Sequence, residues 1–364
     1  MISVNLSNRI HYLDGLRGIF SLAVAASHIL GSVYGYGNER PLVGAYLAVD
    51  YFFILSGYVL YRIATYGGDR ITVLFVKRLL RLWPLHALMT IVSFLIISAN
   101  QFENLYVPHG IQLSVSEFLR NITFVIGTGL SHAKLLNEPS WSISVEFWLS
   151  ACLLYFLFRL PSFAIIFVSV LCYIIVFSFG RGTMTAHDTF FYLSTGMYRG
   201  VAGMAVGGLM YRHSQWFQKL TASIAARWCD LALSVFFFII LIGIYMGAGS
   251  LWDAALILAF TPFLVVRFVD RAEWIKGFLS SPILIWLGQI SVSVYLVHTP
   301  LIIFLFPRGI VHGYSLPFIG IITLITTLVL STISYRFFEL PVQRIASIIV
   351  RRFQHVVGSR MVKL

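Results

Sequence analysis

Charge is what this sequence has least of: 11% of its 364 residues are Asp, Glu, Lys or Arg, against 59% hydrophobic ones. Soluble domains carry about 25% charged residues, so the composition excludes an ordinary soluble fold and points to an integral membrane protein. Acidic residues are the scarcer sign, 14 against 26 Lys and Arg, which leaves a net charge of +12. Cysteine is almost missing. Cys152, Cys172 and Cys229 form an odd set, far apart inside apolar runs. That excludes a disulfide framework and a thiolate metal site, and leaves small buried hydrophobes. Low-complexity tracts and obvious internal repeats are lacking too. A cleaved signal peptide is not expected. "AVAAS" supplies small residues, but the apolar run before it starts only near Ile19 and the segment ahead is poorly basic.

What the chain has in quantity is apolar runs of about 18–25 residues, long enough to cross a bilayer as helices. Ten are expected, at 16–34, 43–61, 82–99, 141–158, 162–179, 190–211, 229–247, 251–268, 282–306 and 314–335, the sixth weakened by its glycines. An even number puts both termini on one side. Twenty basic residues then fall on the terminal side and six, Arg40, Arg120, Lys134, Arg181, Arg199 and Arg308, on the other. An excess of Lys and Arg marks cytoplasmic loops, so both termini are expected in the cytoplasm and the basic balance needs no nucleic-acid partner. The fold class expected is an all-α bundle of about ten transmembrane helices. Residues 1–345 form that bundle and 346–364 a short basic tail suited to an anionic inner leaflet. One long segment, 100–140, joins spans on the outer side, where Ser114 and Glu117 have the spacing of a capping box for a short helix through Phe124.

Against this background the ionisable groups inside the spans stand out, because lipid penalises them and they mark function or pairing. Arg17 and His28 in "HYLDGLRGIFSLAVAASHIL" are 11 residues apart. That spacing is close to three helical turns, so both share one face about 16 Å apart along the axis. Asp14 is one turn before Arg17 and can pair with it. Asp50 in "VDYFFILSGY" needs a partner, either His28 or an Arg elsewhere, while Gly57 in the same stretch suits close helix approach. Ser56 beside it is a candidate polar contact for substrate or structure. Arg78 and Arg81 in "KRLLRLWPL" fall on one face, as a phosphate clamp or as snorkelling anchors, and Pro84 should kink the helix that follows. Glu146 in "NEPSWSISVEFW" lies at the estimated depth of His28, which suits an acid–base pair or a structural ion pair. In "WLGQISVSVYLVHTPL", Ser291, Tyr295 and His298 make one polar stripe, read for Ser291 as glue between helices. Glu339 in "YRFFELP" is expected to pair with a cytoplasmic Arg.

These stretches together resemble acyltransferase family 3, membrane proteins that O-acylate bacterial cell-surface glycans. "LDGLRGI…H" resembles that family's motif of a basic residue, ten spacers and a His; "VDYFFILSGY" its second-helix signature; "RLLRLWP" its paired-Arg motif. "SWSISVEFW", "ISVSVYLVHTP" and "YRFFELP" resemble three later signatures, and all six stand in family order between residues 12 and 341. Two departures are visible: Glu146 is followed by Phe147 where the family often has an acidic or amide residue, and Val292 stands where a Tyr is common.

The resemblance implies a membrane-bound O-acyltransferase using acyl-CoA, usually acetyl-CoA, as donor and no metal. Arg17, Arg78 and Arg81 would then hold the CoA phosphates. His28 would act at the thioester as general base or transient acyl carrier, helped by Asp50 or Glu146, on a saccharide hydroxyl at the outer face of a bacterial cytoplasmic membrane. Some members carry a C-terminal SGNH-type domain. None is expected here, so a separate periplasmic partner is the alternative to direct transfer. The competing class is a secondary transporter or flippase in which the buried Asp, Glu and His form a proton relay.

Overall fold

Apolar runs with few internal breakers have one way to satisfy their backbone in lipid, the helix. The computed structural model, which describes residues 10–37, 40–66, 71–107, 111, 113–131, 134–179, 189–247, 252–265 and 273–359, is built of helices throughout. In chain order they are α1 (His11–Tyr34), a 3-10 turn (Val43–Tyr46), α2 (Leu47–Tyr66), α3 (Ile71–Phe102), α4 (Val115–Ile122), α5 (Ser140–Trp148), a π-turn (Leu149–Leu153), α6 (Leu154–Leu157) and α7 (Ser162–Phe179). A two-residue hairpin, β1 (Thr189–Phe190) with β2 (Leu193–Ser194), leads into α8 (Thr195–Arg212). Then follow α9 (Ser214–Thr221), α10 (Ala226–Met246), α11 (Trp252–Leu258), α12 (Thr261–Val265), α13 (Glu273–Leu279), α14 (Pro282–Gln289), α15 (Ser291–Val311) and α16 (Leu316–Ser334). A second π-turn (Tyr335–Glu339) joins α16 to α17 (Leu340–Ser359).

Among the described residues, eight helices are long and apolar enough to cross a membrane, an all-α membrane architecture. Two of the ten expected spans form no such helix. The sixth is α8, whose glycines serve packing in place of lipid contact. A Cβ at Gly207 would stand 1.9 Å from the Ile54 carbonyl oxygen, and one at Gly57 would stand 2.0 Å from that of Met204. Helices α2 and α8 therefore touch backbone to backbone, as small residues allow between membrane helices. The eighth is two short helices, α11 and α12, and its end lies outside the described residues. The expected ninth span is also divided, at Ile290, into α14 and α15.

Two details place the functional groups. Helix α15 contains Pro300 and Pro307. A helical proline has no N–H for the carbonyl four residues earlier, which frees those of Leu296 and Ile303. The structure answers each with an asparagine: Asn137 Nδ2 donates to Leu296 O and Asn100 Nδ2 to Ile303 O, both at 2.9 Å. Thus α15 stays one helix and is tied to the segment before α5 and to the end of α3. The π-turn at "YRFFE" inserts a residue into the α16–α17 path, a device common near functional sites, and it closes on Glu339.

Outside the long helices, the segment expected on the outer side forms the short helix that its residues suggest. Ser114 Oγ accepts from Glu117 N at 3.1 Å and caps α4, although the Glu117 carboxylate turns to Lys134 N instead of closing the box. The helix stops at Ile122 because the chain reverses at Phe124, which takes a left-handed φ of 61°.

Candidate active site

A cavity of about 850 Å³ opens among α1, α2, α3, α5, α15 and α17. Its lining is rich in cations: Arg17, Arg62, Lys77, Arg78, Arg81 and Arg351, beside the carboxylates of Asp14, Glu146 and Glu339. Arg78 and Arg81, one turn apart on α3, differ in exposure, Arg78 being buried and Arg81 exposed. Arg17 is held in place on α1, its Nη2 donating to Ser291 Oγ at 3.2 Å and its Nη1 standing 3.6 Å from Asp14. Ser291 Oγ in turn donates to Gly288 O at 2.9 Å. The expected glue between helices is this hydroxyl, shared between α1 and the α14–α15 break.

The helix α17 corrects the reading of residues 346–364 as a tail. Gln343, Ser347, Val350, Arg351 and Gln354 recur at helical spacing and line the cavity, whereas Ile345, Ile348 and Ile349 point outward and are exposed. A polar stripe inward and an apolar stripe outward suit a helix that walls an aqueous cleft and turns its back to lipid. The residues after Ser359 lie outside the described ones.

Glu339 has more than an Arg around it. Its carboxylate accepts the single hydroxyl proton of Ser293, and the Ser334 hydroxyl lies 3.1 Å from that of Ser293. The carboxylate lines the cavity, and Arg17 and Arg81 both act on it electrostatically.

Glu146 also lines the cavity, where it accepts from Ser56 Oγ at 2.8 Å and acts electrostatically on Arg78. Ser142 and the Tyr295 hydroxyl meet at 2.8 Å, and Phe52 places its edge against the Tyr295 ring with centroids 5.9 Å apart. Val292 lines the cavity as well, so a Tyr at that position, common in the resembled family, would fill part of it. Phe147, the other departure, is buried and stacks on Phe124.

One turn past Tyr295 on α15 comes His298, fully buried, with its Nε2 3.0 Å from Nδ1 of His28. The polar stripe of α15 therefore runs from Arg17 through the Ser142–Tyr295 pair to the two histidines. Around His28, Ser32 Oγ donates to its carbonyl at 3.1 Å, and Arg40 donates to the Ser27 carbonyl and hydroxyl at 2.5 and 2.8 Å.

Asp50, left open between His28 and an Arg elsewhere, belongs to Arg199. Arg199 Nε and Nη2 grip the two carboxylate oxygens at 3.2 and 2.5 Å, Nη2 also reaches Tyr46 O at 3.2 Å, and the guanidinium lies 5.5 Å from the Trp141 ring. Tyr46 continues the network to Asp253 at 2.8 Å. Arg199, counted from the sequence among the basic residues of the outer side, is thus a buried helix residue, 2% exposed. Arg181, assigned to the same side, lies outside the described residues. Sequence reasoning missed Arg199 as the partner of Asp50 and Arg62, Lys77 and Arg351 as cavity residues. A signal existed for the first, since an Arg in a glycine-rich apolar helix needs a buried anion.

The architecture defines a helical membrane protein with a polar, cation-rich cavity and a histidine pair one turn beyond Tyr295 on α15. The acyltransferase domain family model matches residues 10–336, and the chain belongs to that family. O-acetyltransferase OatA of Staphylococcus aureus strain NCTC 8325 / PS 47 is 25% identical over 361 residues, covering 92% of this chain and 57% of OatA, and the strain COL protein of that name gives the same figures. A further protein of strain COL, provisionally named an O-acetyltransferase, is 23% identical over 373 residues, 92% of this chain and 58% of its own length. The chain thus spans little more than half the length of these relatives. No solved structure matches it.

Proposed function

We propose that this chain transfers an acyl group, acetyl as in the names of its relatives, from acyl-CoA to a hydroxyl of a cell-surface or lipid-linked saccharide. The donor lies in the cationic cavity with its phosphates on Arg17, Arg78 and Arg81. Arg62, Lys77 and Arg351 extend the same positive wall. Its pantetheine arm runs toward the histidines along α1, where the Arg17–His28 rise of about 16 Å suits an extended chain. The observation that carries this reading is the order along α15: Arg17 on Ser291, the Ser142–Tyr295 hydroxyl pair one turn on, then the two imidazoles.

The reaction is an acyl exchange. The acceptor oxygen bonds to the thioester carbonyl carbon as the C–S bond breaks; His28 takes the hydroxyl proton and returns it to the leaving sulfur, giving free CoA thiol. Of the two carboxylates expected to help His28, Glu146 is the one that lines the cleft. Tyr295 lines the cavity, touches Phe52 and has its ring centroid 6.3 Å from that of His298, so the pantetheine arm passes it in this scheme. The basic face is the cytoplasmic one in this scheme, with the acceptor, and any separate partner protein, on the outer side of the bacterial cytoplasmic membrane.

Thiol release from acetyl-CoA by the purified protein in nanodiscs, with and without a saccharide acceptor, tests the proposal. His28→Ala should lower the rate by about 10²–10⁴-fold, the usual worth of a general base. Arg78→Gln should instead raise KM by about 10–100-fold, as loss of a charged hydrogen bond does. Uptake of a solute driven by a pH gradient, with no CoA binding, would move the protein to the transporter class.

A further inference from the structure

His298 carries no role in the reaction as proposed, yet its contacts constrain the base. Its Nδ1 lies 2.9 Å from the carbonyl oxygen of Val294. A carbonyl can only accept, so Nδ1 of His298 bears the proton. In the neutral ring the other nitrogen, Nε2, is then a lone pair. That lone pair is 3.0 Å from Nδ1 of His28, and two lone pairs cannot share a hydrogen bond. With both rings neutral, Nδ1 of His28 must therefore be the donor, and the unprotonated nitrogen of His28 is Nε2.

We infer that His298 is a positioning residue that holds His28 in its Nδ1–H tautomer and leaves His28 Nε2 as the base. The logic is that of any histidine whose second nitrogen is fixed by a partner, which sets both tautomer and ring orientation. What is unusual is the partner. A neutral imidazole takes the place of the more familiar carboxylate, and a backbone carbonyl of α15 sets its own direction. Neither carboxylate expected to serve makes this contact: Asp50 is held by Arg199, and Glu146 faces the cavity with the Ser56 hydroxyl on it. The carbonyl of Val294 is well placed as the anchor: the N–H four residues on, which would ordinarily take it, belongs to His298 itself, so ring and backbone of one residue share one acceptor. The charged and titratable groups acting on the pair from neighbouring elements are Arg40 on His28, and Glu138 on His298, with the Tyr295 ring centroid 6.3 Å from that of His298.

This inference rests on the proposed role of His28 for its consequence, but its test does not need activity. Protein labelled with ¹⁵N in its histidine rings, in nanodiscs, reports which nitrogen of each ring carries the proton, and the His28 signal is assigned by its loss in His28→Gln. Wild type should show His28 protonated at Nδ1. His298→Leu, with no acceptor, should move His28 to a mixture dominated by the Nε2–H form of a free imidazole. His298→Gln, whose oxygen can accept at the same reach, should keep a majority of the Nδ1–H form. Finding His28 protonated at Nε2 in wild type overturns the inference even if neither His298 variant folds, as does an unchanged tautomer in His298→Leu. Activity forms a second arm. His298→Leu should lose about 100-fold in kcat with KM for acetyl-CoA unchanged, and His298→Gln should recover most of that loss. Its pH profile should also move, whereas a merely structural role would lower the amount of active protein and leave the profile in place. Silence from every protein in the activity arm, with the tautomers as stated, would remove the acyl-transfer reading and leave the histidine arrangement standing.

Discussion

Asp50 and Glu146 began as equals, two carboxylates in membrane helices, each able to serve His28. They end in opposite situations. Asp50 is fully buried and gripped through both oxygens by Arg199, itself packed under Trp141 and beside the Tyr46–Asp253 pair. Glu146 is half-buried, faces the cavity and accepts a hydroxyl from Ser56. A charge without water needs a full set of partners and, once it has them, becomes part of the scaffold. A charge on a polar cleft keeps solvent and one light contact, and so stays free for chemistry. Depth in the membrane did not separate the two; what faces each of them did.

The comparison breaks most visibly at Arg199. Arg199→Met leaves the Asp50 carboxylate buried without its partner and should destabilise the protein by about 3–5 kcal/mol. Adding Asp50→Leu to that variant should recover most of the loss, because replacing both members of a buried pair with apolar side chains is far cheaper than removing one. Thermal unfolding in one detergent, single against double variant, measures both. A double variant no better than the single one would mean that Asp50 acts beyond its ion pair.

A neutral contact of the same depth gives the intermediate case. Asn137→Ala removes the donor that the Leu296 carbonyl receives in place of the one Pro300 cannot give. It should cost about 1 kcal/mol, typical of an interhelical hydrogen bond in a membrane protein. In a Pro300→Ala background the helix supplies its own donor, and the cost of Asn137→Ala should fall toward zero. An equal cost in both backgrounds would show that the asparagine serves another purpose. Since His298 lies between Leu296 and Pro300 on α15, the single variant should also disturb the histidine pair, seen as a lower kcat at unchanged KM for acetyl-CoA.

How far the sequence announced these arrangements depends on whether a signal is local. The all-helical membrane class follows from run length and charge scarcity, and the groups that line the path, Arg17, Arg78, Arg81, Glu146, Tyr295 and His298, were visible because each sits in an apolar helix that would otherwise exclude it. The partners were not visible. That Asp50 meets Arg199 149 positions away, or His28 meets His298 270 positions away, depends on which helices adjoin, and hydropathy carries no information on adjacency. The helix α8 is absent from the helices long and apolar enough to cross for a related reason: its glycines read as weak hydrophobicity when their use is contact with α2. The expected tail misled because a basic segment with isoleucines reads as interfacial until its polar stripe is found on the cavity. The prolines of α15 and their asparagines are the one long-range pairing that chemistry could have foreseen, since a carbonyl freed in mid-membrane must find a donor.

The smallest effect on stability tests the other carboxylate. Glu146→Gln keeps an oxygen for the Ser56 hydroxyl and removes only the charge, so unfolding should change by about 0.5 kcal/mol or less, as at sites without a buried charge or cavity. Function should respond the other way round. Glu146 and Arg78 act on each other electrostatically, so neutralising the carboxylate leaves more of the guanidinium's field for an anionic donor. Binding of CoA to Glu146→Gln, followed by isothermal titration at low salt, should be equal to wild type or a few-fold tighter, with the gain shrinking as salt screens it. If acyl transfer nevertheless falls while binding holds, the carboxylate acts on the reaction and not on the donor. If instead the variant unfolds as readily as Arg199→Met, the contrast between a locked carboxylate and an open one is wrong, and Glu146 belongs with Asp50 in the scaffold.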